Sequence, residues 1–241
     1  MGRYLIVGAN GGVGEAIARR LASQGHALVL TSREEAAVRP LADELGASIV
    51  KLDVTLADDF GALGEAVADG LDGIAYAAGT ITLKPFERLT DQDFLNDFQV
   101  NALGAAKVIQ ASLGGLAKAE GGAGIVLFST VAVDQGFAAH ASIAMAKGAV
   151  VGLARSLAAE YAPQVRVNVI APSLLDTPLG QTVAGNSRMA EAVAKMHPIP
   201  RLGQAEDVAG IAAFLMSDGT WITGQVFGVD GGRSTLRIPK S

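Results

Sequence analysis

The chain of 241 residues contains no cysteine, three histidines and few aromatic side chains, which make up 5% of its residues. The missing cysteines exclude a disulfide framework, a thiolate metal site and a cysteine nucleophile. His26, His140 and His197 are scattered and lack paired carboxylates, so we expect no metal site. Charged residues are also few, at 18%, and a net charge of −5 provides no basic face for nucleic acid.

Long apolar runs are missing as well. No window approaches 18 uninterrupted apolar residues, so we expect no membrane-spanning segment. A strand-like segment begins at Tyr4, so we also expect no signal peptide. The sequence thus predicts a cytoplasmic protein that acts on a small molecule and binds neither nucleic acid nor a membrane. A chain of 241 residues, 50% of them hydrophobic, is long and apolar enough to build one large core.

Short apolar runs rich in β-branched residues alternate with longer helical patterns along the whole chain. Runs without polar–apolar alternation are typical of strands covered by helices on both faces. This order predicts βαβ units and an α/β fold, a single doubly wound domain over residues 1–241 with an open parallel sheet. Seven strands are predicted, at Tyr4–Val7, Ala27–Thr31, Ser48–Leu52, Gly73–Ala77, Gly124–Phe128, Val165–Ile170 and Val226–Val229.

Residues 173–200 interrupt the alternation of strands and helices. Four prolines between positions 172 and 200 surround a short helical pattern at Met189–Met196. The segment follows the end of a strand, where open α/β sheets bind their ligands. We therefore interpret it as a substrate lid, with a surface excursion as the alternative.

A glycine-rich turn follows the first predicted strand and opens a helix. Glycine lets the backbone approach a pyrophosphate, and a helix N-terminus offers unpaired N–H groups with a partial positive charge. This position favours dinucleotide binding over a simple tight turn. The turn supplies these predicted cofactor contacts: Gly8, Asn10, Gly11, Gly12, Val13 and Gly14.

The spacing G-x-x-x-G-x-G resembles that of the short-chain dehydrogenase/reductase family. The resemblance continues through Asp53-Val54, Ala77-Ala78-Gly79 and Asn101 to the C-terminal Val229-Asp230-Gly231-Gly232. It implies a seven-stranded Rossmann sheet, NAD(P) binding and a homodimer or homotetramer, with Trp221 near a subunit contact. The further cofactor contacts that we expect are Asp53, Val54, Ala78, Gly79, Lys147, Pro172, Ser173, Leu175 and Thr177.

The residues at the end of the second strand indicate whether the protein prefers NAD or NADP. Ser32 and Arg33 stand there in place of a carboxylate, and a guanidinium beside hydroxyls suits a 2′-phosphate. Glu34 and Glu35 follow directly, and Gly11 replaces a basic residue that many NADP-dependent members carry. The sequence favours NADP(H), with NAD(H) possible; the alternative is an Arg33 that only solvates a helix end.

The catalytic pattern of the family is broken in this chain. Its members use Tyr-x-x-x-Lys with a serine thirteen residues before the tyrosine. Lys147 is present here, but Ile143 occupies the tyrosine position and Thr130 the serine position. Isoleucine cannot donate a proton, whereas Thr130 keeps a hydroxyl that can hold a substrate oxygen. The resemblance therefore leaves the proton donor unassigned.

Three side chains are candidates to replace the tyrosine. His140 lies seven residues before Lys147, as does the tyrosine in enoyl-reductase-like members, and faces the same way if the helix includes position 140. A rim histidine without a role is the alternative. The Ser142 hydroxyl is a poor acid at neutral pH. Tyr76, at the end of the fourth strand, is predicted to pack against the helices instead of donating a proton.

The sequence predicts an NADP(H)-dependent oxidoreductase for a small apolar carbonyl or activated alkene. The second hypothesis is an inactive cofactor-binding sensor or partner subunit, and the third is a non-redox enzyme such as a lyase. The predicted catalytic set is Lys147, Thr130, Asn101 and His140. Arg237–Ser241 is predicted to be a tail.

Overall fold

A seven-stranded parallel sheet forms the centre of the protein in the computed structural model, which describes residues 1–237. The strand order β3-β2-β1-β4-β5-β6-β7 reverses between β1 and β4, which creates the crevice where doubly wound folds bind ligands. The predicted architecture is confirmed. The strands are β1 (Arg3–Val7), β2 (Ala27–Ser32), β3 (Ser48–Lys51), β4 (Gly73–Tyr76), β5 (Ala123–Phe128), β6 (Val165–Pro172) and β7 (Val226–Val229).

Helices cover both faces of the sheet. Successive side chains of a strand point to opposite faces, so Leu5 packs into one core cluster and Ile6 into the other. This two-sided burial is the reason for the continuous apolar runs in the sequence. The helices are α1 (Gly12–Ser23), α2 (Glu35–Leu45), α3 (Asp59–Val67), α4 (Asp91–Phe98), α5 (Gly104–Leu116), α6 (Ala132–Gln135), α7 (Ala141–Tyr161), α8 (Pro178–Ala184), α9 (Ser187–Ala194) and α10 (Ala205–Met216).

The boundaries differ from the predicted ones by up to two residues. β6 continues to Pro172, two residues beyond its predicted end, and β1 begins at Arg3, one residue before its predicted start. Strand and helix ends are the positions that local patterns define least well. The predicted tail, apart from Arg237, lies outside the described residues.

Two helical regions shape the carboxyl edge of the sheet. A π-helical turn at Gln99–Leu103 joins α4 to α5, and such turns often occur at functional sites. α7 follows β5 and packs on α4 and β6. Its 21 residues have the length and composition of a membrane-crossing helix, but here the helix packs on the sheet.

Candidate active site

Three glycines at the junction of β1 and α1 have no room for a side chain. Gly8 has a φ of +79°, and a Cβ there would lie 2.8 Å from the Ala78 backbone nitrogen. A Cβ on Gly14 would overlap the Gly8 carbonyl oxygen, and one on Gly12 would lie 2.9 Å from the Thr177 methyl carbon. The glycines therefore allow the strand, the helix and the Thr177 loop to approach closely, as a pyrophosphate cradle requires.

A cavity of about 330 Å³ extends from this turn to the ends of β2 and β3. Gly14, also a predicted cofactor contact, does not line the cavity; its missing side chain permits the close packing of the turn. Thr55 donates hydrogen bonds to the Asp53 carboxylate, chiefly from its hydroxyl, and they lower the pKa of that carboxyl. Twelve of the predicted cofactor residues line the cavity, namely Gly8, Asn10, Gly11, Gly12, Val13, Ser32, Arg33, Asp53, Val54, Ala78, Gly79 and Thr177.

Arg33 supplies a positive charge at the end of this cavity. Its side chain is exposed, and it forms no salt bridge within residues 1–237. Glu35 is paired with Arg39 at 2.8 Å on the first turns of α2. The guanidinium is thus available to an anionic ligand, whereas one of the two neighbouring carboxylates is neutralised.

A larger cavity of about 500 Å³ adjoins the first at Ala77–Thr80. The remaining predicted cofactor residues, Lys147, Pro172, Ser173 and Leu175, line this one, as do Thr130, Asn101, Ile143 and His140. Residues 173–200 add an apolar wall that consists of Leu174, Leu175, Leu179, Val183, Ala184, Met189, Val193 and Met196.

Ile143 and Lys147 lie one turn apart at the start of α7, on the face that borders the cavity. Ile143 is only 2% exposed. The Ser129 hydroxyl donates to the Lys147 carbonyl at 3.2 Å, which connects this turn of the helix to the end of β5. The Thr130 hydroxyl accepts a hydrogen bond from the Ala132 N–H at 3.3 Å. An apolar side chain therefore borders the cavity beside an ammonium and a hydroxyl.

Burial lowers the pKa of Lys147 to about 8, although the Asp97 carboxylate partly opposes this shift. The Nζ atom lies 3.7 Å from the position of a Cβ on Gly79. The ammonium is therefore close to the turn after β4, where the two cavities meet.

The shift of Lys147 predicts how stability depends on pH. The unfolded chain binds this proton up to a pH of about 10.5 and the folded chain only to about 8, so stability rises between these values. Relative to Lys147→Met, the free energy of unfolding of the wild type is expected to rise by about 2 kcal/mol from pH 7 to pH 9.5. Urea unfolding at several pH values measures it, and parallel pH profiles for the two proteins would contradict the assignment.

Asn101 lies in the π-helical turn and has one unsatisfied atom. Its amide donates to the Asp97 carbonyl at 2.8 Å and to the Thr80 carbonyl at 3.2 Å. Its Oδ1 is buried and accepts no hydrogen bond within the described residues. This oxygen lies 3.0 Å from the position of a Cβ on Gly79, which is also 3.7 Å from the Lys147 Nζ atom. A buried acceptor of this kind fits a hydroxyl-bearing ligand such as a ribose.

Asp97 is a part of the site that the sequence did not reveal. Its side chain is fully buried and accepts hydrogen bonds from the hydroxyls of Ser142 at 2.7 Å, Thr80 at 3.1 Å and Thr82 at 3.3 Å. Ser142, a predicted candidate donor, is thus committed to this carboxylate and does not line the cavity.

Tyr76 is packed in the core, as the sequence predicts. Only 2% of the residue is exposed, and burial raises the pKa of its phenol. The hydroxyl donates to the Val100 carbonyl at 2.5 Å. The phenol is therefore held at the π-helical turn and is no substitute for the missing tyrosine.

The condition under which His140 and Lys147 would face the same way, a helix that includes position 140, is not met. Ala139 has a φ of +63°, which turns the chain, and α7 begins at Ala141. His140 still lines the large cavity, with its Nδ1 2.7 Å from the Ala138 carbonyl oxygen. His26 lies at the opposite edge of the sheet, where its Nδ1 accepts a hydrogen bond from the Gly2 N–H at 3.1 Å.

His197 lies in the predicted lid and is only 4% exposed. Its Nε2 is 2.8 Å from the Ser173 hydroxyl, and its Nδ1 is 3.3 Å from the Ala194 carbonyl oxygen. Ser173 was predicted only as a cofactor contact. A contact between residues 24 positions apart leaves no signal in local patterns.

Comparison with known proteins agrees with this geometry. A family model described as enoyl-(acyl carrier protein) reductase matches residues 8–234. Oxidoreductase UcpA of Salmonella typhimurium is 35% identical over 252 residues, covering 96% of this chain and 94% of that protein. The 3-oxoacyl-[acyl-carrier-protein] reductase MabA of Mycobacterium tuberculosis is 32% identical over 233 residues, covering 95% and 91%.

A solved structure shows the same fold. Gluconate 5-dehydrogenase from Burkholderia cenocepacia, in complex with NADP and tartrate, superposes with a TM-score of 0.90 at 28% identity, covering 98% of this chain and 96% of that one. The matches extend over nearly the whole sequence and include both cavities. The chain therefore belongs to the short-chain dehydrogenase/reductase family of oxidoreductases that use a nicotinamide cofactor.

Proposed function

We propose that this protein is an NADP(H)-dependent oxidoreductase that acts on a small apolar carbonyl compound or activated alkene. The observation that carries the proposal is the junction of the two cavities at Ala77–Thr80. One cavity has the glycine turn and Arg33, and the other has an apolar wall with Thr130 and Lys147. Such a pair suits a dinucleotide whose reactive end meets an apolar substrate.

Each polar group of the site has a proposed role. When bound, the nicotinamide cofactor supplies or accepts the hydride. Arg33 and Ser32 bind the 2′-phosphate, and the glycine turn holds the pyrophosphate through its N–H groups. The Lys147 ammonium and the unsatisfied Asn101 oxygen hold the ribose hydroxyls, and Thr130 holds the substrate oxygen. Residues 173–200 close the apolar side as a lid.

Two groups compete for the role of proton donor. His140 is the candidate from the sequence, and its position in the wall of the large cavity supports it. The pair of Ser173 and His197 is the other candidate and is argued below. His140→Ala tests the first: a loss of turnover with unchanged NADPH affinity would support it.

Arg33 is expected to set the cofactor preference. Titration with NADPH and NADH, followed by nicotinamide fluorescence, should show tighter binding of NADPH. Arg33→Ala should weaken NADPH binding by about tenfold to a hundredfold, since a charge-assisted hydrogen bond contributes about 1.5–3 kcal/mol, and should leave NADH binding unchanged. Arg39→Ala is the matched control, because Arg39 is an exposed arginine of α2 paired with Glu35. Equal binding of both cofactors to the wild type would contradict the preference.

The substitution at Ile143 favours a second candidate, a cofactor-binding sensor or partner subunit without turnover. NADPH binding without turnover across a broad panel of carbonyls and activated alkenes would identify it. The third possibility, a lyase, predicts turnover that consumes no cofactor.

We also propose that the protein is cytoplasmic and forms a homodimer or homotetramer. Its low charge and lack of cysteine support the compartment. The side chain of Trp221 is 98% exposed, and Phe214 on α10 is 45% exposed, which supports a subunit contact on this face.

A further inference from the structure

Ser173 connects the large cavity to a second, smaller one. The smaller cavity has a volume of about 200 Å³ and shares only Ser173, Leu174 and Leu175 with the large cavity. Of these three residues, Ser173 alone has a polar side chain. His197 lines the smaller cavity but not the large one. Ser173 therefore borders both cavities, and its hydroxyl contacts the buried imidazole of His197.

The hydrogen bonds of His197 fix which ring nitrogen gains and loses a proton. The Ala194 carbonyl can only accept, so Nδ1 carries a proton in both the neutral and the charged imidazole. The exchangeable proton is then on Nε2, the nitrogen that faces the Ser173 hydroxyl at 2.8 Å. Ser173 and the Ala194 carbonyl are the hydrogen-bond partners of this ring among the described residues.

The carboxylates that line the smaller cavity are engaged with other groups. Asp207 pairs with Arg201 at 2.5 Å, and Asp230 accepts hydrogen bonds from the N–H groups of Gly232 at 2.8 Å and Ser234 at 2.9 Å. His197 is thus oriented by a main-chain carbonyl, and its Nε2 serves only Ser173. A hydroxyl backed by a base and an orienting acceptor is the arrangement that activates a hydroxyl in enzymes.

We propose that Ser173 and His197 replace the missing tyrosine as the proton relay of the reaction. This proposal rests on the proposed function. In reduction the substrate carbon gains the hydride, and the substrate oxygen gains the proton of the Ser173 hydroxyl, so C=O becomes CH–OH. Ser173 is reprotonated by Nε2–H of the His197 imidazolium. His197 becomes neutral and takes a proton from water in the smaller cavity.

The test compares Ser173→Ala, His197→Gln and the double variant with the wild type on a panel of carbonyls and activated alkenes. Each single substitution is expected to lower kcat about tenfold to a hundredfold, and the double variant no further, because the two residues act as one unit. Ser173→Thr should retain activity, and added imidazole should restore His197→Gly. His26→Gln is the matched control, since His26 lies outside both cavities.

A readout without cofactor comes from ¹⁵N NMR of the three imidazoles. The neutral His197 imidazole is expected to carry its proton on Nδ1, beside the Ala194 carbonyl, and Ser173→Ala should shift the Nε2 resonance alone. A neutral His197 protonated on Nε2 would overturn the proposal.

The kinetic outcomes separate this relay from the proposed function. Turnover by the wild type that is unaffected by Ser173→Ala and His197→Gln overturns the relay alone, as does a loss seen only in His140→Ala. NADPH binding without any turnover overturns the proposed function and the relay with it.

Discussion

Replacing Ile143 by tyrosine is expected to raise kcat/KM for the NADPH-dependent reduction of simple ketones by about 10²-fold. Ile143 is one turn from Lys147 and borders the large cavity with Thr130. A phenol at this position would face the cavity, whose volume of about 500 Å³ leaves room for the ring. The neighbouring ammonium favours the phenolate and so lowers the pKa of the phenol, which makes it a better acid.

The control for this gain is Ile143→Phe, which adds the same ring without a hydroxyl. Phenylalanine should bring no increase in turnover, and NADPH affinity should be the same in both variants. Equal turnover by the two variants would mean that residues 173–200 hold the substrate oxygen away from position 143. Steady-state kinetics on a fixed ketone panel measure the difference.

The fold could be predicted from the sequence because its signals are local. Buried parallel strands require continuous apolar runs, and a pyrophosphate cradle requires glycines between a strand and a helix. Parallel strands also bring their carboxyl ends to one edge, so Gly8, Arg33 and Asp53 were expected in one cavity and are found there. Element order was enough for Gly8 and Arg33, whereas Asp53 was implied by the resemblance to the family.

The rest of the site depends on contacts between distant residues. Asp97 lies in an acidic helix that resembles a solvated surface in sequence, yet it contacts Ser142, which is 45 positions away. The sequence offered one signal for Asp97, its position four residues before Asn101. This spacing places the two residues one helical turn apart, where the Asn101 amide donates to the Asp97 carbonyl. For His140, a single residue decided the outcome, because the positive φ of Ala139 turns the chain and α7 begins only at Ala141. Such backbone details have no counterpart in apolar periodicity.

Asp97→Ala is expected to lower the free energy of unfolding by about 3 kcal/mol, because it leaves the hydrogen-bond donors of the carboxylate unpaired and removes the negative charge that favours the buried Lys147 ammonium. The Ser142 hydroxyl would lose its 2.7 Å bond, and the Thr82 N–H would lose an acceptor at 3.3 Å. Urea unfolding measures the loss. Asp91→Ala is the control on the same helix, since Asp91 is exposed, and it should change stability by less than about 0.5 kcal/mol.

Asp97→Asn removes the negative charge of this residue and leaves one accepting oxygen on its side chain in place of two. Asparagine has nearly the same shape as aspartate but carries no negative charge that could favour the Lys147 ammonium. The pKa of Lys147 should therefore fall further below its present value of about 8. The rise of stability with pH that Lys147 causes should then begin at a lower pH than in the wild type. An unchanged pH profile in Asp97→Asn would show that the two charges are uncoupled. A shifted profile would make Asp97 the residue that keeps Lys147 charged at neutral pH, the state in which its ammonium can hold a ribose.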